Sequence, residues 1–146
     1  MDTLERLQIL REIEDLSIDY WDDVDRNWGK NAHDYYTEDG SYTTSLKTRT
    51  GREAIKAFYD SRENRGDRVA RHFINNHKIT IHDRNRVSAV QILSLFAADG
   101  KPVLPSRPAI MIADVHDEIV RGPDGRWLYK SRTIKAFFRD ETPTTG

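Results

Sequence analysis

An acidic cluster near the end of a long amphipathic segment carries residue types suited to proton transfer. Asp22, Asp23 and Asp25 follow Tyr20 there. With about 100° between neighbouring residues of a helix, Tyr20 points inward, Asp22 points outward, and Asp23 and Asp25 lie on opposite edges. Periodicity leaves open which of these two faces the interior, and whether all three carboxylates are simply solvated. Acidic residues near a helix C-terminus are electrostatically unfavourable, which indicates another role for one of them.

A histidine on a strand-like segment, residues 71–78, supplies a candidate base. On an extended strand His72 and Asn76 share one face. Imidazole titrates near neutral pH, so it serves as a general base more readily than other side chains. The alternative is a surface histidine or one that is hydrogen-bonded in the core. The adjacent Asn75 and Asn76 indicate a β-bulge, which re-aims neighbouring side chains.

A cation on an apolar strand face is the third feature. Arg132 lies in the segment 127–138, among apolar residues and near Lys130. Burying a guanidinium is costly unless it meets a carboxylate or a ligand. Arg132 is therefore either an internal ion-pair partner or a clamp for an anionic or carbonyl group of a ligand, and the sequence leaves both open.

The pattern of histidines argues against a metal site. His72, His77 and His82 are five residues apart, so they alternate between the two faces of a strand and do not converge on one ion. The chain has no cysteine. It also has no Gly-rich phosphate loop, no GxSxG motif and no HExxH motif, which excludes the common nucleotide-binding, hydrolase and metalloprotease motifs.

Length and charge predict one domain, spanning residues 1–146, with an ordered part at about 4–140 and a disordered tail at 141–146. The chain has 146 residues and a formal net charge of -1, which gives no field that favours nucleic acid. No apolar run approaches the ~20 residues of a membrane helix, and the N-terminus lacks a signal peptide. We therefore expect a cytoplasmic protein with no nucleic-acid or membrane partner.

The chain divides into helical segments followed by strands. Helical periodicity covers about residues 3–27, with Thr3 as the cap, and a second helix starts at a capping box of Thr50 and Glu53 and runs to about Asn64. Between them a short helical stretch (31–36), a turn (38–40) and a strand (41–46) are predicted. Four strands follow at about 69–82, 86–98, 109–121 and 126–139, joined by turns rich in Asp, Asn, Gly and Pro. This order predicts an α+β fold in which helices cover a curved antiparallel sheet.

Four motifs together resemble the SnoaL-like branch of the nuclear transport factor 2-like superfamily, over about residues 4–139. They are Tyr20 to Asp25, Gly51-Arg52-Glu53-Ala54-Ile55, Arg71-His72-Phe73-Ile74-Asn75-Asn76, and Trp127 to Arg132. The resemblance implies a cone-shaped fold, in which a strongly curved, mostly antiparallel sheet wraps around N-terminal helices and encloses a pocket. It also implies catalysis without a cofactor by an Asp–His dyad.

Carried over by position, the resemblance makes Asp25 the dyad carboxylate, His72 the base and Tyr20 a pocket residue that completes the catalytic set. It makes Asn76 a pocket residue as well. The chain departs from relatives that carry a second catalytic His or Asp on the next strand, because residues 86–98 offer only Gln91 and Ser94. The second acid, and with it the particular reaction, stays open.

The expected function is a cofactor-free dehydratase or isomerase acting on a small cyclic, aromatic, polyketide-like or steroid-like substrate. The expected substrate contacts are Arg132, Asn76, Tyr42, Trp28, Phe58 and Met111. Two alternatives stay open: a non-catalytic small-molecule binding protein, and the structural small subunit of an aromatic-ring hydroxylating dioxygenase. The family's habit and an outer sheet face carrying Met111, Val115 and Phe137 lead us to expect a homodimer or homotrimer.

Overall fold

A long helix, α1 (Thr3–Arg26), opens the chain in the computed structural model, which describes residues 1–45 and 47–144. Its buried side chains recur every three or four residues, as the sequence predicts. They include Ile9, Ile13, Leu16, Tyr20 and Val24. The cap is Asp2 rather than the expected Thr3, because the Asp2 carboxylate accepts a hydrogen bond from the Glu5 backbone N–H at 2.7 Å.

The second helix, α2 (Arg52–Arg62), is followed by a 3-10 turn (Glu63–Arg65) and stops at Gly66. Its start differs from the prediction. Gly51, at φ +90°, occupies the cap position without a side-chain hydrogen bond, so Thr50 and Glu53 form no capping box. Within the described residues, no helix combines the length and apolar character needed to cross a bilayer.

Six strands form one sheet: β1 (Tyr36–Thr43), β2 (Thr48–Thr50), β3 (Arg68–Asp83), β4 (Arg86–Asp99), β5 (Met111–Arg121) and β6 (Trp127–Arg139). The sheet has the order β2-β1-β6-β5-β4-β3 and is curved but not closed. Strands β3 to β6 form the predicted antiparallel meander, with bounds one or two residues from those expected. The α+β, cone-shaped fold is confirmed.

The region between the helices departs most from the prediction. The short helical stretch is a 3-10 turn (Ala32–Tyr35), and β1 begins at once, whereas a turn was expected at residues 38–40. β1 pairs parallel with β6, with a register shift between Tyr36 and Ser41 that absorbs the expected turn residues. A Cβ on Gly40 would lie 3.0 Å from the Tyr129 carbonyl oxygen, so this close approach suits glycine. The expected strand end at Leu46 lies outside the described residues.

The concave side of the sheet holds the core, and the helices cover it. α1 lies against β3 and β6, and α2 lies against β1 and β2. Val115 is fully buried on this side and Met111 faces an internal cavity, so the expectation that both lie on the outer face is wrong. They share the concave side because they alternate with Ile112 and Asp114. Phe137, beside a register shift between β5 and β6, is exposed as expected.

Candidate active site

A cavity opens between the helices and the concave face of the sheet. Its volume is about 50 Å³, and the free space rises to about 650 Å³ when the open solvent at its mouth is included. Its wall combines aromatic, aliphatic and polar side chains, three of which, Tyr42, Phe58 and Met111, are predicted substrate contacts. The full wall comprises Trp21, Val24, Tyr42, Thr44, Ser45, Phe58, Tyr59, Arg62, Arg68, Ala70, His72, Leu93, Leu95, Ala97, Met111, Ile134, Ala136 and Thr144.

The structure brings Asp25 and His72 together, 47 positions apart in the chain. The Asp25 Oδ1 atom lies 2.5 Å from His72 Nδ1, and Asp25 Oδ2 accepts a hydrogen bond from the His72 backbone N–H at 2.8 Å. α1 supplies the carboxylate and β3 supplies both donors. These two contacts fix the carboxylate relative to the ring.

Asp23, the other carboxylate that helix periodicity left open, has a local role. Its carboxylate accepts hydrogen bonds from the Asn27 side chain at 2.8 Å and from the Asn31 backbone N–H at 3.0 Å. These contacts hold the chain where it leaves α1. Asp25 is therefore the carboxylate that faces the interior.

The protonation of the His72 ring follows from its partner. An ionised carboxylate only accepts hydrogen bonds, so the proton of the neutral ring lies on Nδ1 and is donated to Asp25. The lone pair is then on Nε2, which has no hydrogen-bond partner among residues 1–45 and 47–144. Since the ring forms part of the cavity wall, Nε2 is the nitrogen left for a ligand.

Burial holds His72 in its neutral form. The Trp21 indole stacks on the imidazole with ring centres 4.4 Å apart and planes 13° from parallel. Desolvation lowers the pKa of His72 below 6.5, the nearby charges of Arg62 and Arg132 lower the pKa further, and Asp25 acts in the opposite direction. The ring is therefore neutral at pH 7, as a general base must be.

Arg132 is an internal ion-pair partner, which decides between its two alternatives. Its Nε and Nη2 atoms lie 2.8 and 2.9 Å from the two carboxylate oxygens of Asp117, its register partner on β5. The guanidinium lies over the rings of Tyr20, Trp21 and Tyr129, and it does not reach the cavity wall. Asp117 was not singled out from sequence, although its alternation with Val115 and Ile119 indicates a carboxylate on a buried strand face.

Tyr20 lies behind the cavity rather than in its wall. It is fully buried, and its hydroxyl is 2.8 Å from the Tyr36 hydroxyl and 2.6 Å from the Tyr59 hydroxyl. Of the three hydrogen-bonded tyrosines, only Tyr59, from α2, lines the cavity. Tyr42 also lines it. Burial raises the pKa of Tyr59 well above 10, so its hydroxyl is a neutral group able to donate a hydrogen bond.

Two further predicted contacts, Asn76 and Trp28, are not brought into the wall. Asn76 lies at the predicted bulge, where the β3–β4 register shifts between Asn75 and Lys78. Its left-handed backbone, at φ +51°, breaks the strand alternation, and its side chain is exposed. Trp28 follows α1 at φ +60° and is half-buried outside the cavity.

Arg62, Arg68 and the C-terminal segment also line the cavity, and none of them was singled out from sequence. Arg68 donates to Asp99 at 3.1 Å and to the Pro143 carbonyl at 3.0 Å, and Arg65 donates to the same carbonyl at 3.1 Å. These bonds hold the segment that brings Thr144 into the wall, where a disordered tail was expected. The last two tail residues, 145 and 146, lie outside the described residues. No signal in the local sequence pointed to Arg62 or Arg68.

No metal site is formed by the described part of the chain. Within residues 1–45 and 47–144 no three His, Asp or Glu side chains lie close enough to hold an ion together. The polar groups of the wall include the His72 imidazole, which is paired with Asp25, two tyrosine hydroxyls, two guanidinium groups, and the hydroxyls of Thr44, Ser45 and Thr144.

Comparison with known proteins shows the family and the fold to which the chain belongs. Residues 5–133 match the family model described as SnoaL-like domain. A scytalone dehydratase-like protein from Novosphingobium aromaticivorans shares 21% identity, with 98% of this chain and 93% of that chain covered, at a TM-score of 0.83. ActVI-ORFA from Streptomyces coelicolor shares 20% identity, with 88% and 97% covered, at a TM-score of 0.74.

LinA shares 20% identity with the chain, with 98% of this chain and 100% of LinA covered, at a TM-score of 0.77. No curated protein matches the chain. At these identities the solved structures show a common fold, the nuclear transport factor 2-like cone. The family model covers most of the residues, and the chain belongs to the SnoaL-like family.

Proposed function

We propose that the protein is a cofactor-free lyase or isomerase that removes a proton from carbon, with His72 as the base. The observation that carries the proposal is the 2.5 Å contact between Asp25 and His72, whose ring lines a cavity of mixed apolar and polar character. A histidine oriented by a buried carboxylate, with its second nitrogen free for substrate, is an arrangement used for general base catalysis.

The proposed step starts at a C–H bond beside a carbonyl group or ring of the substrate. His72 Nε2 takes the proton, and the electron pair of the C–H bond moves into the carbonyl system to give an enolate. Asp25 stabilises the imidazolium that forms. If the enolate expels a hydroxyl group from the neighbouring carbon, His72 returns the proton to it and water leaves. If a different carbon receives the proton instead, the reaction is an isomerisation.

The tyrosines support the charge that develops in this step. Tyr59 lines the cavity, and its hydroxyl bonds at 2.6 Å to Tyr20, which is bonded in turn to Tyr36. A preorganised hydroxyl in a water-poor site stabilises an enolate oxygen more than water does. In this proposal Tyr59 contacts the substrate oxygen, and Tyr20 acts as a positioning residue for Tyr59.

The two alternatives predict different things of the same cavity. A structural dioxygenase subunit predicts a filled or missing pocket, and the open cavity counts against it. A non-catalytic binding protein shares the cavity but has no need for an unpaired Nε2 in the wall. The family includes dehydratases and isomerases, which supports the proposed enzyme over both alternatives. Association into a homodimer or homotrimer stays a prediction.

The Asp25→Asn variant tests the proposal. Cyclic and aromatic ketones that carry a hydroxyl group on the carbon next to the one that loses its proton are incubated in D2O. Proton NMR follows both exchange of the C–H proton and elimination of water. We expect the wild type to catalyse one or both, and Asp25→Asn to be slower by about 10²–10⁴-fold, the usual contribution of a positioned base. An asparagine in this position favours the wrong tautomer of His72.

Asp22→Asn is the matched control, because Asp22 is exposed on the same helix and bonds only to Arg26 among the described residues. It should react at the wild-type rate. Equal rates for Asp25→Asn and wild type would contradict the proposal. Binding of these ketones without exchange or elimination in the wild type would favour the non-catalytic alternative.

A further inference from the structure

The cavity wall carries cationic side chains without an opposing acid. Arg62 and Arg68 line it, and none of its described residues is an aspartate or glutamate. Arg68 is satisfied by Asp99 and the Pro143 carbonyl. Arg62 is 7% exposed, and its buried Nε and Nη1 atoms have no hydrogen-bond partner within residues 1–45 and 47–144.

An unpaired buried guanidinium is costly to the fold. Desolvating a charge without a partner is unfavourable, and removing it in favour of an apolar group is often neutral or stabilising. The Tyr59 ring, 5.5 Å from the Arg62 guanidinium carbon, offsets part of this cost by a cation–π contact. Arg132 shows the usual solution, since Asp117 neutralises it across the same core. Packing alone therefore does not account for Arg62.

The position of Arg62 relates its charge to the proposed chemistry. It is the last residue of α2, which also brings Phe58 and Tyr59 to the wall. Its field reaches His72, whose pKa it helps to lower. A positive charge beside a neutral base attracts an anionic ligand into the cavity and leaves the base able to accept a proton.

We propose that Arg62 binds a carboxylate of the substrate, so that the substrate is a cyclic or aromatic organic acid. This inference rests on the proposed function, because it names the substrate class of the same cavity. A carboxylate supplies the acceptor oxygens that the unmade hydrogen bonds of Arg62 require, and guanidinium–carboxylate hydrogen bonds are among the strongest in proteins.

Calorimetric titration with a pair of ligands of the same shape tests the inference. The probes are 2-naphthoate and naphthalene-2-carboxamide, which differ in the charge of one group. We expect the wild type to bind the carboxylate at least about tenfold more tightly, as a hydrogen bond to a charged group implies. Arg62→Met should lose this preference and keep its affinity for the carboxamide, and Arg62→Lys should retain part of the preference.

Arg71→Met is the matched control, because Arg71 is the neighbour of His72 on β3, donates to the Ala70 backbone carbonyl and does not itself line the cavity. It should keep the full preference. The inference is overturned if the wild type shows no preference, if Arg62→Met keeps it, or if Arg71→Met loses it equally. Loss of the preference in Arg68→Met but not in Arg62→Met would also overturn it.

Stability in the absence of ligand gives a second, independent readout. If Arg62 is present for a ligand, Arg62→Met should unfold at a urea concentration equal to or above that of the wild type. A lower midpoint, or failure to fold, would show that the fold itself needs Arg62 and would overturn the inference. Arg62→Lys, which keeps the charge, then shows whether the decrease in the urea midpoint depends on charge or on packing.

Failure of this inference is separable from failure of the proposed function, because the titrations require no turnover. The carboxylate preference should persist in a His72→Gln variant that has lost the proposed base. If no ketone or acid undergoes exchange or elimination but Arg62→Met still loses the preference, the carboxylate site stands and the proposed reaction falls. If turnover depends on Asp25 but the preference is absent, the reverse holds.

Discussion

Two buried pairs, each of a carboxylate and a nitrogen base, contact Trp21, and they differ in access to a ligand. The Trp21 indole stacks on His72 on one side, and the guanidinium of Arg132 lies 4.9 Å from its ring centre. Asp25 and His72 join α1 to β3, whereas Asp117 and Arg132 join β5 to β6. The first pair therefore links a helix to a strand that is distant in sequence, and the second links two strands that are neighbours in the sheet.

The two pairs are suited to different tasks because their nitrogen bases differ. Arg132 and Asp117 are 0% and 1% exposed, and a guanidinium keeps its proton in proteins. His72 and Asp25, at 9% and 8%, are nearly as buried, but the ring forms part of the cavity wall, and an imidazole, unlike a guanidinium, can gain and lose a proton. Burial and pairing therefore do not by themselves mark a reactive site. A proton that can leave, and a path to a ligand, are also needed.

The largest expected stability effect comes from breaking the sealed pair. Asp117→Asn leaves Arg132 charged, buried and without its counter-ion, and we expect it to lower the free energy of unfolding by about 3–5 kcal/mol. Urea denaturation measures the loss. Asp114→Asn is the control on the same strand, where the side chain faces the other side of the sheet, and it should change stability by no more than about 0.5 kcal/mol. A loss in Asp117→Asn no greater than in the control would remove the structural role of this pair.

The cavity pair makes stability and activity depend on pH. Because the pKa of His72 is lower in the folded protein than its ordinary value of 6.5, the unfolded chain binds more protons between these two values. Stability is therefore fully present above pH 6.5 and falls as the pH drops through this window. The activity proposed above should fall with it, giving a kcat/KM profile whose acid limb has its midpoint below 6.5.

Ring-proton NMR of His72 and urea denaturation at pH 7 and pH 5 check both statements. His72→Gln is the control, since glutamine cannot titrate, and it should lose less stability on acidification than the wild type. A His72 midpoint above 6.5 would mean that Asp25 outweighs burial, and a midpoint above 7 would mean that the ring is mostly charged at pH 7.

The smallest expected effect concerns Asn76, which belongs to neither pair. Asn76→Gly should change stability by no more than about 0.5 kcal/mol, because the side chain is exposed and glycine tolerates its φ of +51°. Turnover by the proposed reaction should be unchanged. A raised KM for a ketone substrate would instead place Asn76 in contact with ligand and restore the role that the family resemblance implies.

Local patterns predicted most of the fold, because they are set by neighbouring residues. Alternation of apolar residues and short turns rich in Asp, Gly and Pro predicted β3 to β6, and the three-and-four spacing predicted α1. The predicted strand at 41–46 covers only the end of β1; its first part was missed because the turn-forming residues at 38–40 are absorbed by a parallel pairing with β6. No local pattern carries the information that a strand pairs with another about 90 residues further along the chain.

The candidate site divides in the same way. The sequence by itself determined which residue types are available, namely carboxylates, histidines, tyrosines and arginines without cysteine, and its family resemblance singled out Asp25 and His72. Only the tertiary structure decided that Asp25 rather than Asp23 meets the ring, that Asp117 neutralises Arg132, and that Tyr59 and Arg62 reach the cavity. The physical reason is that periodicity gives the direction of a side chain from its own element, whereas its partner and its access to a ligand depend on how separate elements pack.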